Sequence, residues 1–483
     1  MTDMDKHNKY RDLAKNTAWF TVSSAGSKLL SFFLVPLYTS VLQAAEYGVA
    51  DMISTSASLL TYVFTLDIAS AVLRFAMERR EDQHGILSYG IRVLLVGTGV
   101  LAIILAGLYF ARAIPWAPYY YLFLLLHFFA LALYGMLGQY LRATDRIKEA
   151  AVSGLLLTAV TVTLNVALLL FFKMGLVGYL VAVSAGLLAA SCYCLWVIRR
   201  PLDRLLKECC DRRTRREMRS YSIPLIFNGV AWGLNHSLDK YMVIWLCGAA
   251  ENGLLSVAYK IPTLLTALHG VFAQAWNISA VKVFDKEDKD GFFSHTYAAY
   301  NAFLVIVCSA LVLCNIPIAK MLFAGEFFAA WQYSPVLLVS SLFGALSGIL
   351  GSVFTAVKAS RVFAVSTVTA VIVNTVLNWM LIHRFGTMGA AVSTAAAFFI
   401  IWLIRLRCTG RYIRLRISIC RDLIAYLLLC GQVALGLLPG HGYVGQVTVM
   451  IVLVFLYRSQ ILGILTLLHR ILSGTQSEQK KTL

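Results

Sequence analysis

Charge is scarce in this sequence. Only 14% of its 483 residues are charged and 59% are hydrophobic, where a typical soluble protein carries roughly a quarter charged residues. A soluble fold must still cover itself with polar surface, so this composition excludes one. Acidic residues are scarcer than basic ones, 24 against 42, leaving a net charge of +18. The motifs of catalysis are missing. There is no phosphate-cradling glycine loop and no nucleophile elbow, which argues against an enzyme. The ten cysteines include no Cys-x-x-Cys pair and no Cys/His set at metal spacing. Most sit in apolar stretches (Cys192, Cys194, Cys247, Cys308, Cys314, Cys430) and read as small apolar filler. A cleavable signal peptide is also lacking. Residues 1–15 are polar and charged, and the apolar stretch that follows is too long for a signal core and has no small-residue cleavage pattern after it.

What is present is a series of long apolar blocks. They fall at 16–42, 48–73, 86–110, 119–141, 150–172, 175–198, 222–246, 253–280, 294–318, 330–357, 362–383, 387–406, 420–437 and 443–468. A helix needs about 20 residues to cross about 30 Å of hydrocarbon. The expectation is therefore an all-α polytopic membrane protein with 14 transmembrane helices. Lys and Arg test that count independently. With the N-terminus inside, inner segments hold 33 of them and outer segments hold four: Arg112, Lys173, Lys320 and Arg384. Cytoplasmic loops carry such an excess. Both termini are then expected to be cytoplasmic. The run Arg212-Arg213-Thr214-Arg215-Arg216 falls in the one long inner loop. Topology and anionic lipid explain it better than nucleic acid. The outer loops are short and leave no room for a folded external domain.

The chain also resembles itself. Ala44-Ala45-Glu46-Tyr47-Gly48 matches Ala249-Ala250-Glu251-Asn252-Gly253, and Lys173 to Gly178 matches Arg384 to Gly389. Both matches recur after six helices, which predicts a parallel repeat. The expected organisation is an N-lobe (1–198, six helices), a basic cytoplasmic loop (199–221), a C-lobe (222–410, six helices), then two helices and a cytoplasmic tail (411–483).

Ionisable groups inside apolar helices are costly unless they meet a partner or a wet cavity, so they point to function. Lys28 lies near the middle of the first block, on one face with Thr21, Ser24 and Ser31. The second block carries Asp51, Thr55, Ser58, Tyr62 and Thr65, with Asp67 slightly off that face; the seventh carries Asn228, Trp232, Asn235 and Asp239, then Lys240. The eighth carries Ser256, Lys260 and Thr263, while Arg92 and Arg74 lie near cytosolic ends. The candidate substrate cavity is thus Lys28, Asp51, Asp67, Arg74, Arg92, Asp239, Lys240 and Lys260. Its cations suit a diphosphate. The bland reading is that Lys240 with Asp239, or Lys260 with Asp51, form structural pairs, or that the lysines snorkel to the interface. His127 and His236 read as hydrogen-bonded bundle residues. Pro36, Pro224, Pro262 and Pro335 read as bends inside helices.

Phe33-Leu34-Val35-Pro36-Leu37-Tyr38-Thr39, followed by Glu46-Tyr47-Gly48, resembles the opening of Wzx-type oligosaccharide flippases. These share a superfamily (MOP) with MATE exporters and lipid II flippases. Leu66 to Ala71 with Arg74-Phe75, Leu164-Asn165 with Gly175 and Gly178, and Leu377-Asn378 with Gly386 and Gly389 continue the likeness. The resemblance implies an alternating-access flippase for undecaprenyl-diphosphate-linked glycans in polysaccharide or O-antigen biosynthesis, with the last two helices accommodating the lipid tail. Glycan polymerase and glycosyltransferases are the implied protein partners. No cofactor is implied beyond coupling to Na+ or H+. Asn235, Asp239, Asn374, Asn378 and Thr394 are the residues that match the sodium-binding places of relatives. The alternatives are a MATE-like exporter, whose cavity should be acidic or aromatic, and a lipid II flippase, which carries arginines where Lys28 stands. A membrane glycan polymerase, which needs a sizeable outer loop, and a scaffold for glycosyltransferases complete the set.

Overall fold

The computed structural model describes residues 32–112, 117–199, 208, 210–282, 285–357, 359–438, 440 and 442–463. Among the described residues there are helices and no strands. In chain order they are α1 (Val35–Val41), α2 (Ala44–Phe64), α3 (Ile68–Glu78), α4 (Gln83–Phe110), α5 (Pro118–Ala143), α6 (Ile147–Asn165), α7 (Gly175–Ile198) and α8 (Arg212–Leu246). There follow α9 (Ala249–Ala258), α10 (Lys260–Lys282), α11 (Phe292–Leu313), α12 (Asn315–Leu322), α13 (Ser334–Ala356), α14 (Ser360–Phe385), α15 (Thr387–Thr409), α16 (Ile419–Leu437) and α17 (Tyr443–Leu456). Nine described helices are long and apolar enough to span a membrane, or eleven if each of two interrupted pairs counts as one span. The protein is an all-α, multi-pass membrane protein. The greater part of the expected first span lies outside the described residues, so the fourteen-helix count reaches beyond them.

The chain forms two compact units, Met1–Ser256 with Ala324–Phe327, and Val257–Phe323 with Phe328–Leu483. The first unit takes in α8 and most of α9.

Several boundaries differ from the sequence expectation for identifiable reasons. The predicted loop 199–221 is helical from Arg212 onward. Asp211 caps that helix, its Oδ1 accepting from the Thr214 amide at 2.7 Å. The Thr214 hydroxyl and amide hold the Asp211 carboxyl below the usual carboxylate range. Arg79 reaches from the end of α3 to the Thr214 hydroxyl and to Glu217, tying the basic first turns of α8 to the unit. Of the four prolines read as internal bends, Pro36, Pro262 and Pro335 stand in the first turns of α1, α10 and α13. A missing N–H costs nothing there. Only Pro224 lies inside a helix, α8.

The two copies of the Ala-Ala-Glu motif pack on each other within the first unit. A Cβ added to Gly48 would collide with the Ala249 carbonyl, and one added to Gly253 would collide with the Ala44 carbonyl. Asn252 Nδ2 donates to the Gly48 carbonyl at 3.0 Å. Residues 324–327 join the same cluster. Glu326 Oε1 accepts from the Ala44 amide at 2.6 Å, and Thr39 Oγ1 accepts from the Ala324 amide at 3.1 Å.

Candidate functional site

The second predicted span is broken at its polar stripe. α2 ends at Phe64, α3 begins at Ile68, and the two axes differ by 56°. Leu66 and Asp67 both take the left-handed conformation, with φ of 55° and 46°. Non-glycine residues pay for that geometry in strain. The local hydrogen bonding is rerouted, Asp67 N donating to Tyr62 O at 3.1 Å and Ile68 N to Thr65 O at 3.1 Å. Gly97 of α4 leaves room for the Phe64 carbonyl at the break, where any Cβ would strike that oxygen.

A cavity of about 530 Å³ opens at this break, entirely within the first unit. Its walls come from α2, the break and α3, with α4, α5 and α8 behind. The polar lining is Ser58, Thr61, Tyr62, Thr65, Asp67, Ser70 and Gln139. Among its described lining residues Asp67 alone carries charge, and no cation is present. Three of the hydroxyls spend their protons on backbone. Ser58 donates to Ser54 O at 2.9 Å, Thr61 to Ser58 O at 2.6 Å, and Thr65 to Thr61 O at 2.6 Å. Gly229 of α8 admits the Tyr62 ring, and Gly135 of α5 faces open space.

The other predicted residues take different places. Lys28 lies outside the described residues. Asp51 and Lys240 form an ion pair at 3.0 Å linking α2 to α8, each side chain 20% exposed. The sequence paired Lys240 with Asp239, its neighbour, and Asp51 with Lys260. The observed pairing is different because adjacent helix residues point about 100° apart, while α2 packs directly on α8. Beside it, Ser56 and Tyr241 share a hydrogen bond at 2.9 Å. Asp239 is buried, and its Oδ1 accepts from the Lys240 amide at 3.0 Å. Arg74 is exposed. It bonds Glu78 at 3.0 Å and lies over the Tyr221 ring at 4.5 Å. Arg92 donates to the Glu208 carbonyl at 2.9 Å. Arg74 and Arg92 do not line the cavity. Lys260 opens α10, half-buried, just past the interruption at Tyr259.

In the second unit, Asn374 and Asn378 lie one turn apart on α14 and are hydrogen-bonded to each other. The Asn378 Oδ1 is buried without a hydrogen-bond partner. Thr394 on α15 gives its hydroxyl to the Ala390 carbonyl at 2.9 Å. The side chain of Asn235, like those of Asn228, Trp232 and His236, lies outside the described residues. No group of three or more His, Cys, Asp or Glu able to hold a metal occurs among the described residues. His127 is buried, 3.3 Å from the Ser184 hydroxyl, as a bundle residue would be.

Two buried ionic centres escaped the sequence reading. Arg405, counted there with an inner loop, is 3% exposed on α15. It donates to Ser366 at 3.1 Å, the Ser347 carbonyl at 2.9 Å and Thr367 at 3.1 Å, and stacks over Phe363. Asp422 on α16 accepts from Tyr457 at 2.9 Å and from Arg421 at 3.0 Å. Tyr457 also accepts from Asn301 at 3.2 Å, and Tyr426 donates to Asn301 at 2.9 Å. Both positions sit at the ends of apolar blocks beside loop charges, which hides them in a hydropathy profile.

This architecture is the fold seen in solved flippase and MATE transporter structures. The structure resembles a lipid II flippase, MurJ, in an inward closed conformation, with a TM-score of 0.68 at 13% identity over 92% of this chain and 99% of that one. It also resembles an inward-facing multidrug resistance MATE transporter, with a TM-score of 0.60 at 10% identity over 81% and 94%. A third likeness is a MOP superfamily transporter from Pyrococcus furiosus, described as having a binding pocket of reverse polarity. The TM-score there is 0.54, at 10% identity over 82% and 95%. No curated protein sequence matches. The profile of the family described as polysaccharide biosynthesis protein matches residues 13–278, more than half the chain. The chain belongs to that family.

Proposed function

We propose that this protein is a flippase that carries an undecaprenyl-diphosphate-linked oligosaccharide from the cytoplasmic to the outer leaflet of the bacterial inner membrane by alternating access. The observation that carries this reading is the hydroxyl-lined cavity built into apolar spans of the segment that matches the family. Polar groups at membrane depth persist where they serve a substrate path. The apolar groove of about 410 Å³ in the second unit, lined by residues of α13, α15 and α16 such as Val339, Phe399 and Leu427, is a fitting place for a prenyl tail. Lys28, Lys240 and Lys260 are the proposed partners of the diphosphate. Lys240 must leave Asp51 to take that role, so the pair would hold the cation in reserve between cycles. Transport would be coupled to Na+ or H+, with Asp239, Asn235, Asn374, Asn378 and Thr394 as the proposed cation ligands. The unmatched Asn378 oxygen is the observation that favours the residues of the second unit in this set. Both termini would be cytoplasmic.

A second reading draws on the acidic character of Asp67, the charged residue of the cavity. It is a MATE-like exporter of organic cations. A deletion strain separates the two. The flippase predicts lipid-linked oligosaccharide accumulating on the cytosolic face, with Lys28→Arg rescuing partly and Lys28→Ala not at all. Unchanged surface glycan together with new drug sensitivity would overturn it in favour of the exporter.

A further inference from the structure

We infer that the cavity at the α2/α3 break is a sugar subsite, which grips neutral hydroxyl-bearing rings while the diphosphate is held elsewhere. The inference rests on the flippase reading and adds which part of the substrate this cavity receives.

Hydrogen-bond polarity makes the argument. Three lining hydroxyls, on Ser58, Thr61 and Thr65, already donate to carbonyls of their own helix. Toward the cavity they retain lone pairs, so they accept. Asp67 adds carboxylate acceptors. Its side chain is hydrogen-bonded by Ser70. Among the described lining residues, the Tyr62 hydroxyl and the Gln139 amide are the remaining side-chain donors. The lining therefore wants a ligand rich in donors with a few acceptors. A sugar ring, whose every hydroxyl can donate and accept, meets that demand. A diphosphate at neutral pH offers acceptors alone and would face Asp67 with no cation in the described lining. Tyr62 adds an aromatic ring to the lining, and the apolar C–H face of a sugar packs well on the face of such a ring.

The strain at the break supports the same assignment. Leu66 and Asp67 sit in the left-handed region side by side without a glycine. An intact helix would turn the Asp67 carboxylate away from the Tyr62–Thr65 stripe, since it lies off that face. The two-residue left-handed step brings Asp67 into the same cavity as that stripe. Such outliers persist where the surrounding structure over-determines them, and they cluster at ligand sites.

The test uses the full-length protein in nanodiscs and saturation-transfer NMR. The probes are free glucose, galactose and N-acetylglucosamine, inorganic pyrophosphate, and tetraphenylphosphonium. Asp67→Asn removes the anionic acceptor. Gly135→Phe fills the cavity from a position whose Cβ meets nothing within 4 Å, and Gly99→Phe, equally open on α4, is the control. We expect at least one hexose to bind the parent and the Gly99→Phe protein, with a loss of fivefold or more in Asp67→Asn and Gly135→Phe and unchanged pyrophosphate binding. Absence of hexose binding in the parent, or hexose binding intact in both cavity variants, would overturn the subsite. So would loss of pyrophosphate or tetraphenylphosphonium binding in place of sugar. The flippase reading fails separately, if the deletion strain shows no cytosolic build-up of lipid-linked glycan.

Discussion

The two copies of the repeat open with the same motif and then interrupt their helices differently. The first copy runs from Ala44 to Phe64 before it breaks, over three residues, two of them left-handed. The second runs only from Ala249 to Ala258 and resumes at Lys260, with Tyr259 alone between. At the second break the freed Ala258 carbonyl accepts from the Ser334 hydroxyl at 3.0 Å, so a side chain fills the gap. At the first break the space stays open as a cavity. Kinship in sequence fixed where each helix starts, and local side chains decided whether the interruption became a seal or a site. An unsatisfied backbone group in a membrane interior must find some partner. A hydroxyl from another helix serves in one copy, and hydroxyls and amides of the same segment serve in the other.

The comparison can be broken most forcefully at the ion pair that anchors the first copy. Lys240→Met leaves Asp51 as a lone charge among packed helices, and we expect a loss of about 3 kcal/mol in denaturation of the detergent-solubilised protein. The double variant Asp51→Leu/Lys240→Met should recover a large part of that loss. Strictly additive single effects would show that the two side chains act independently. Next in size is the interlock between copies. Gly48→Leu or Gly253→Leu drives a side chain into a carbonyl of the other copy and should cost about 1–3 kcal/mol, while Gly107→Leu, with open space around it, should be neutral. Equal thermal midpoints for Gly253→Leu and Gly107→Leu would contradict the close approach. At the second break, Ser334→Ala strips the Ala258 carbonyl of its donor and should cost about 1 kcal/mol, whereas Ser58→Ala, at a wet cavity, should cost less. The smallest effect concerns Asp211, whose carboxyl is held below its usual range. A group with a depressed folded-state pKa stabilises above its unfolded value and loses that contribution as pH falls through the folded one. The difference in thermal midpoint between parent and Asp211→Asn should therefore shrink as pH is lowered from neutrality, and a difference that grows would refute the cap.

Most spans were legible because length and apolarity alone mark a membrane helix, as for Pro118–Ala143 and Gly175–Ile198. The break at Leu66-Asp67 was not legible. Sequence announces breaks through proline and glycine, and neither residue occurs there. The start of α8 was hidden by its run of arginines, which hydropathy reads as loop although a capped, solvated helix carries them well. For the candidate site, the stripe Ser58, Tyr62 and Thr65 was readable from helical periodicity, and the structure lines a cavity with it. The Asp51–Lys240 pairing was not, because it depends on which helix packs beside α2. Arg405 and Asp422 were missed because they stand at the ends of apolar blocks beside loop charges, and Arg405 is held by partners on other helices.

The mutual seating of Gly48 and Gly253 bears on how that end of the first unit comes apart. Each residue is small because the opposite strand of backbone occupies the space a side chain would need. Neither segment can be loosened while the other keeps its grip. Separation there would be a single concerted event, a clasp with two interlocking teeth, and a reagent that joins the two teeth covalently would hold the whole end shut.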